Sequence, residues 1–269
     1  MAQAVPQIAE LNAPFSWRTV DFISDLHLHA SEPATFTAWQ EYMQNTPAHA
    51  VFILGDLFEV WVGDDIVNKV AGEQAPAFET RCVEVLRQTA NRLPVFFMHG
   101  NRDFLVGERL MDLCHATLLA DPTVLVFNDE SISFSARRWL LSHGDALCID
   151  DLEYIAFRSQ VRSPEWQQAF LARPLTERQA IARGIRQQSE GKKQSGAGYA
   201  DVDPLTARQW LLAAQAHTLI HGHTHKPTTH ALGEGHKRVV LSDWDAQAVP
   251  PRAQVLRLSS GNLQRIALL

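Results

Sequence analysis

The sequence predicts an α/β fold in which two mixed β-sheets pack face to face, with helices outside and a helical cap inserted between strands. In the first hundred residues, apolar strands alternate with amphipathic helices, an order that favours parallel strands joined by helical crossovers. Short strands with polar turns follow, and they recur near the C-terminus. The segment between these two groups, 151–206, has helical patterns and no strand pattern.

The first half supplies the alternating elements. The expected strands are 18–24 (with 20–23 as its core), 50–54 and 95–98, and the expected helices are 33–45 and 77–92. The first helix places Phe36, Trp39 and Tyr42 or Met43 on one face at three-to-four spacing, which indicates an amphipathic helix. Pro94 marks the end of the second helix. Three parallel strands are therefore expected to share one sheet.

The second half supplies the remaining strands and the cap. Strands are expected at 123–127, 131–135, 138–141, 217–220 and 237–241, and in a terminal hairpin of 253–258 and 263–268 around Ser-Ser-Gly-Asn. Cap helices are expected at 153–161, 164–172 and 176–188. This pattern divides the chain into a core, 1–150 and 207–269, and an inserted cap, 151–206.

The composition indicates a globular protein, because 46% of the residues are hydrophobic. The formal net charge of −6 and the pI near 6.0 disfavour general nucleic-acid binding, which needs a basic face. Three cysteines without a CxxC spacing favour a reducing compartment and no disulfides. Neither a signal peptide nor a run of about 18 apolar residues is present. We therefore expect a cytoplasmic location.

The cap differs from the rest of the chain in charge. Residues 158–193 contain eight basic and three acidic residues, within a chain of net charge −6. A basic cap can hold an anionic substrate and can settle on an anionic membrane leaflet. The cap's larger apolar residues either line an acyl groove or form the cap's own core: Tyr154, Ile155, Phe157, Trp166, Phe170 and Leu171.

Metal-ligating side chains directly follow five predicted strands. They are Asp25, His27, Asp56, Asn101, His143, His223 and His225. The carboxyl ends of parallel strands converge on one crevice, which would bring these groups together. Oxygen and imidazole donors without thiolate favour Mn²⁺, Fe or Zn²⁺. Seven ligands exceed what one catalytic ion with an open position needs, so two ions sharing one carboxylate are expected.

Each of these fragments alone has a structural alternative, since an Asp-x-His after a strand is commonly a turn or a cap. The five together resemble the calcineurin-like metallophosphoesterase superfamily, through Asp25-Leu-His27, Gly55-Asp56, Gly100-Asn-Arg-Asp103, His143-Gly-Asp145 and Gly222-His-Thr-His225. The resemblance implies one metal on Asp25, His27 and His225, a second on Asn101, His143 and His223, and Asp56 between them. It also implies catalytic roles for Asp56, Asn101, Arg102, Asp103 and His143, and Mn²⁺ as the metal.

A narrower resemblance is to the family of UDP-2,3-diacylglucosamine pyrophosphohydrolases, through stretches such as 53–65, 143–151 and 220–227. It implies hydrolysis of the diphosphate of UDP-2,3-diacylglucosamine, in lipid A synthesis, at the cytoplasmic face of the inner membrane, with the cap as a lid over the acyl chains. The implied substrate contacts are Asn101, Arg102, Asp151, Ser189, Lys193 and His223. This chain lacks a second family lysine near Ser195 or Gly196.

Two other functions remain open at this point. One is a different metallophosphoesterase activity, on nucleotide phosphodiesters or dinucleoside polyphosphates, which would not need an apolar, basic cap. The other is a non-catalytic scaffold that keeps the fold, which a complete ligand set disfavours. No obligate protein partner and no nucleic-acid partner are expected.

Overall fold

The computed structural model describes residues 5–68, 77–129, 135–194 and 200–269, with the backbone alone for 187–194. In chain order the strands are β1 (Ala9–Asn12), β2 (Thr19–Ile23), β3 (Ala50–Leu54), β4 (Val95–Met98), β5 (Thr117–Leu119), β6 (Thr123–Asp129), β7 (Ser135–Ser142), β8 (Thr218–His221), β9 (Thr229–Gly233), β10 (His236–Val240), β11 (Gln254–Ser259) and β12 (Asn262–Ala267). The helices are α1 (Pro33–Asn45), α2 (Phe78–Ala90), α3 (Glu108–Cys114), α4 (Leu152–Val161), α5 (Pro164–Leu171), α6 (Leu175–Gln194) and α7 (Pro204–Ala213).

Among these residues the strands form two sheets of six. The first sheet has the order β12-β11-β2-β3-β4-β5, and β2, β3, β4 and β5 are parallel. The second sheet has the order β1-β6-β7-β8-β10-β9, and β7, β8 and β10 are parallel. Antiparallel pairs complete the first sheet, whereas the second sheet is completed by the antiparallel pairs β6–β7 and β9–β10 and by the parallel pair β1–β6. The predicted two-sheet α/β architecture is confirmed.

The two sheets bury a common aromatic core. Phe52 and Phe96 stack with 4.7 Å between ring centroids, and Phe22 lies against Phe52 at 5.3 Å. Leu141 and Ile220 of the second sheet belong to the same buried cluster. Removing each such side chain from water contributes roughly 1.5–3 kcal/mol. This core holds the carboxyl ends of the two sheets close together, where the candidate ligands lie.

Several predicted elements have the expected bounds, and others differ in extent or were missed. The helix at 33–45 and the strands at 50–54 and 95–98 match α1, β3 and β4. The strand predicted at 138–141 is confirmed as part of the longer β7, which runs from Ser135 to Ser142 without the expected break after 135. Residues 131–134 of the neighbouring predicted strand lie outside the described residues. Missed elements are β1, β5, β9, α3 and α7.

Helix α7 belongs with the core rather than with the cap. Its residues Ala207, Trp210 and Leu211 are buried in one cluster with Leu140 and Leu219 of the second sheet. The expected boundary between 206 and 207 falls inside this helix, which begins at Pro204. We therefore place the end of the cap before α7. The rest of the division into core and cap remains a prediction.

Helices α4, α5 and α6 make up the predicted cap, and arginines of α4 and α6 pair with carboxylates outside it. Arg158 donates to Asp145 from Nε at 2.8 Å. Arg178 pairs with both oxygens of Asp65, and Arg186 pairs with Glu59. Part of the basic charge of the predicted cap is therefore paired with core carboxylates. Its association with an anionic membrane surface remains a prediction.

Two composition-based expectations can be compared with the structure. The three cysteines are free and buried. No helix of the described part of the chain has both the length and the apolar character to cross a bilayer.

Candidate metal centre

The candidate ligands lie where five parallel strands end. Asp25 and His27 follow β2, Asp56 follows β3, and Asn101 follows β4 in the first sheet, while His143 follows β7 and His223 and His225 follow β8 in the second sheet. Backbone hydrogen bonds join these loops to one another. The amides of Leu26 and His27 donate to the Asp56 carbonyl, at 2.9 and 3.1 Å. The site is therefore built on connected turns and not on separate loops.

Five of the candidate ligands adopt a left-handed backbone conformation. These are Asp25, His27, Asp56, His223 and His225, with φ between 49° and 67°. Residues with a Cβ avoid this region, and each such residue costs of order 1 kcal/mol or more. Strain of this kind persists where a site requires it. The conformation turns each side chain back towards the crevice directly after its strand.

Close backbone approach also requires glycine next to the ligands. A Cβ on Gly100 would overlap the Asp56 carboxylate, and a Cβ on Gly222 would overlap Asp25. The absence of side chains at these two positions lets the carboxylates pack directly against neighbouring turns.

The first group of ligands joins Asp25, His27 and His225. Nε2 of His225 lies 3.3 Å from Oδ1 of Asp25 and 3.3 Å from Nε2 of His27. Ligand atoms of all three residues lie within 4.8 Å of one another. Ser24 donates from Oγ to Oδ2 of Asp25 at 2.6 Å, and the amide of His223 donates to the same carboxylate at 2.9 Å. The Asp25 carboxylate is therefore fixed in orientation.

The second group joins Asn101, His143 and His223, with Asp56 beside it. The side-chain oxygen of Asn101 lies 3.0 Å from Nε2 of His143 and 2.9 Å from Nδ1 of His223. Oδ2 of Asp56 lies 3.8 Å from Nε2 of His143. Ligand atoms of Asp25, Asp56 and His143 also lie within 4.8 Å of one another, so the two groups of ligands meet at the two aspartates. The structure brings all seven predicted ligands together.

The electrostatics of the site are those of a buried, acid-rich cluster. Burial pushes the pKa of Asp25 upward, but His225, His143 and His27 outweigh this and hold the pKa well below its usual value. Burial raises the pKa of Asp56. Burial would lower the pKa of His143, yet the Asp56 and Asp25 carboxylates raise the pKa to about 9. The carboxylates thus draw positive charge into the site.

These residues fit two divalent ions. The opposed imidazole nitrogens of His27 and His225 offer two lone pairs beside one carboxylate. Among the described side chains, oxygen and nitrogen donors converge here without a thiolate, which suits Mn²⁺, Fe or Zn²⁺. Without bound metal, the left-handed backbones of the ligands and the buried carboxylates would only destabilise the fold.

Comparison with known proteins agrees with this chemistry. The sequence model of the calcineurin-like phosphoesterase family matches residues 18–227. The chain belongs to the calcineurin-like phosphoesterase family. With a metal-ligand cluster at the strand ends, this phosphoesterase is a metal-dependent hydrolase.

Three curated relatives of this phosphoesterase carry the name UDP-2,3-diacylglucosamine hydrolase. The Chromobacterium violaceum protein is 41% identical over 93% of this chain and 98% of its own length. The Chromohalobacter salexigens protein is 38% identical over 84% of this chain and 89% of its own. The Aromatoleum aromaticum protein is 42% identical, also over 84% and 89%.

Arg102 and Asp103 have different places in the phosphoesterase site. The Arg102 guanidinium faces the site, with Nε 3.7 Å from Oδ2 of Asp56 and Nη1 2.6 Å from Glu59. Asp103 is fully buried, and its carboxylate accepts backbone N–H groups of Gly100 at 2.8 Å and of Leu57 at 2.7 Å. Asp103 thus braces the turn of Asp56 against the turn of Asn101. Its predicted catalytic role remains a prediction, and the contacts favour positioning.

The structure describes only part of the predicted substrate contacts in the cap. Asp151 caps α4 by accepting the amide of Tyr154 at 3.0 Å. Ser189 and Lys193 lie on α6, but their side chains are outside the described part of the structure. These three roles remain predictions. Asn101 and His223, by contrast, stand among the ligands as described above.

The loop aspartates Asp64 and Asp65 support the structure around the site. Asp64 accepts hydrogen bonds from Trp61 at 3.0 Å and from the amides of Gly107 and Leu110 at 3.0 and 2.9 Å. It thereby holds the start of α3. Asp65 is the partner of the cap's Arg178, described above.

Sequence reasoning missed three residues that touch the site from outside. The Tyr154 ring of α4 lies 6.0 Å from the His223 ring, nearly parallel to it. Arg162 donates to the Gly100 carbonyl at 2.8 Å. Glu59 lies 3.3 Å from Nδ1 of His27. A signal existed for Glu59 alone, since it is the one charged residue within the apolar run Leu57-Phe-Glu-Val-Trp-Val62.

Proposed function

We propose that the chain hydrolyses the diphosphate bond of UDP-2,3-diacylglucosamine, giving UMP and 2,3-diacylglucosamine 1-phosphate. The main support is that proteins named UDP-2,3-diacylglucosamine hydrolase match 84–93% of the chain at 38–42% identity. The complete cluster of candidate metal ligands supports the same function. A diphosphate also suits a site that combines metal ligands with arginine.

The chain's own ligands divide between two ions. Asp25, His27 and His225 would hold one, and Asn101, His143 and His223 the other, with Asp56 between them. Two divalent ions here would supply Lewis acidity, which lowers the pKa of water and neutralises phosphoryl oxygens. We propose Mn²⁺ for both, because the donors are mixed carboxylate, amide oxygen and imidazole.

Arg102 has the geometry to bind the phosphate and the wrong chemistry to protonate a leaving group. A guanidinium stays protonated near neutral pH, and its planar fork matches phosphate oxygens. A histidine at this place, unlike Arg102, could protonate an alkoxide. A sugar 1-phosphate needs no such proton, because the second pKa of a phosphate monoester is about 6. Arg102 therefore favours anhydride cleavage over cleavage of an alkyl ester.

The cap would cover the lipid part of the substrate. Trp166 and Phe170 stack at 4.7 Å, and Phe104 of the core lies 6.2 Å from Trp166. These two cap aromatics therefore pack between cap and core. Leu152 and Leu171 are exposed, at 76% and 42%. We propose that such apolar cap positions meet the acyl chains and the cytoplasmic surface of the inner membrane, where the enzyme associates peripherally.

Mass spectrometry of products from a substrate panel tests this function. The panel is UDP-2,3-diacylglucosamine, UDP-glucosamine and a dinucleoside tetraphosphate, each with Mn²⁺. We expect UMP and the lipid 1-phosphate from the first, at a kcat/KM at least about 100-fold above the other two, since remote binding energy orients the reacting bond. The Asp56→Ala variant, purified identically, controls for contaminating hydrolases. Faster cleavage of the tetraphosphate would favour the dinucleoside polyphosphate alternative.

A further inference from the structure

The Glu59 carboxylate is a buried acid that belongs to neither predicted ligand group. Glu59 is 6% exposed and follows Asp56 by three residues. Its backbone is held firmly, because its amide donates to the Leu28 carbonyl at 3.2 Å and the Leu28 amide donates to Leu57 at 2.9 Å. The turn that carries Glu59 is thus joined to the turn that carries His27. A buried carboxylate in such a place needs partners.

The two oxygens of Glu59 have different partners. Oε1 contacts two guanidinium groups, Nη1 of Arg102 at 2.6 Å and Nη1 of Arg186 from cap helix α6. Oε2 lies 3.3 Å from Nδ1 of His27. The two arginines contact one oxygen, which leaves the other oxygen facing the imidazole.

Glu59 is the residue placed to accept a hydrogen bond from Nδ1 of His27. Among the described residues this nitrogen is buried without a hydrogen-bond partner, and Oε2 of Glu59 lies 3.3 Å from it, within hydrogen-bond distance but not in line with the N–H direction. A neutral imidazole with its proton on Nδ1 carries its lone pair on Nε2. Nε2 is the atom that faces His225 and Asp25. A carboxylate at Nδ1 therefore selects the tautomer that can bind a metal.

We propose that Glu59 is a positioning residue for the metal centre. By accepting the Nδ1 proton of His27, it orients the ring and makes Nε2 the metal donor, while Arg102 and Arg186 hold its other oxygen. The inference rests on the proposed two-metal site and not on the identity of the substrate. It also gives the cap a second role, because Arg186 of α6 contacts Glu59, and Glu59 in turn contacts the metal ligand His27.

The test is a metal titration that needs no substrate. Glu59→Gln keeps the shape of the side chain but loses the charge that attracts the Nδ1 proton. We expect about 10- to 100-fold weaker Mn²⁺ binding at one of two sites, seen by calorimetry and by metal content after gel filtration. The bound metal should fall from two ions towards one at limiting Mn²⁺. Excess Mn²⁺ should restore kcat, because we expect the variant to lose metal affinity and not the catalytic activity of the metal-loaded enzyme.

Three further variants make the result decisive. Glu84→Gln is the matched control, because Glu84 is half-exposed on α2 and pairs with Arg87 at 2.8 Å; it should bind two ions with parental affinity. Arg186→Gln removes one Oε1 contact and keeps Oε2, so it should weaken Mn²⁺ binding less than about threefold. Glu59→Asp keeps the charge and should recover part of the lost affinity. It also serves if Glu59→Gln fails to fold.

The outcomes separate this proposal from the proposed function. Two ions bound with parental affinity by Glu59→Gln would overturn the positioning role, whatever the substrate proves to be. Equal losses in Glu59→Asp and Glu59→Gln would also overturn it, because charge would then be irrelevant. Weak binding confined to one site, with partial recovery in Glu59→Asp, would support it even if the enzyme cleaved a different phosphate compound.

Discussion

The imidazole rings of His27 and His225 face each other across 3.3 Å between their Nε2 atoms, although the two residues belong to different sheets. His27 follows β2 of the first sheet, and His225 follows β8 of the second. This contact forms only when the sheets are packed together. A metal ion bound there should therefore favour the folded chain over the unfolded one.

Divalent metal is expected to raise the melting temperature of the protein. At free Mn²⁺ one hundred times its Kd, one ion adds about 2.7 kcal/mol, which corresponds to roughly 5–10 °C for a chain of this length. Thermal unfolding with Mn²⁺ and with a chelator measures the shift. His225→Ala should remove much of it. An unchanged melting temperature across Mn²⁺, Zn²⁺ and Fe²⁺ would contradict a metal centre.

Asp56→Ala is expected to abolish activity and to reduce the bound metal. Asp56 lies at the boundary of the two ligand groups, so its loss affects both sites. We expect a fall in kcat/KM of at least about 1000-fold, checked by rate assay and metal analysis on one preparation. Asp112→Ala, at an exposed position on α3, is the control. Near-parental turnover with two bound ions would refute the role of Asp56.

Arg158→Met is expected to destabilise the protein by about 3 kcal/mol. The variant leaves Asp145, which is fully buried, without one of its cationic partners, and breaking a buried pair costs several kcal/mol. Arg173→Met is the matched control in the same cap, since Arg173 and Glu177 are both half-exposed and 4.0 Å apart; it should change stability by less than about 0.5 kcal/mol. Urea unfolding with a chelator present compares them. Equal effects would mean that Arg158 does not anchor the cap.

Arg102→His is expected to change substrate preference. It should lower kcat/KM for the diphosphate about tenfold or more, because the bidentate phosphate contact is lost. It should leave cleavage of a small alkyl phosphodiester unchanged or faster, because a histidine can protonate the leaving group. Measuring kcat/KM for both substrates in both proteins decides it. If the parent cleaves the two at equal rates, this account of Arg102 is wrong.

The cysteines are expected to resist thiol reagents in the native protein. Burial raises the pKa of Cys114 and of Cys148 to about 12, and burial raises that of Cys82 further. At pH 8 about one thiol in ten thousand is then ionised, and the thiolate is the reactive form. A chromogenic disulfide should report no fast-reacting thiol in the folded protein and three in guanidinium. One rapid equivalent in the native state would show that a thiol is accessible.

The strand ends and their ligands were predictable from the sequence because both follow local rules. The β3 pattern, five apolar residues followed by Gly55-Asp56, marks a buried strand and a polar turn at once. Elements such as β1 and β9 have mixed polar patterns at sheet edges, so their pairing depends on a neighbouring strand and not on their own residues. Helix α7 was missed because the expected boundary between cap and core, at 206, falls within it.

The contacts between cap and core could not be predicted from the sequence. The arginines of α4 and α6 form a run of basic residues, and such a run usually indicates a solvated face. Their carboxylate partners, Asp145 and Glu59, lie outside this segment, so only the fold shows that the charges meet. The sequence shows a basic cap, and the structure shows that some of its arginines pair with these carboxylates.

The left-handed backbone of the ligands has an evolutionary consequence. At Asp25, Asp56 and His223 the least strained residue would be glycine, which would also remove a metal ligand. Each such substitution is expected to offset part of its lost packing by relief of strain, so the metal-free protein should tolerate it better than an ordinary core truncation. Selection for the stability of the metal-free chain would therefore retain these ligands less strongly than it retains ordinary core residues, and selection for turnover would retain them more strongly.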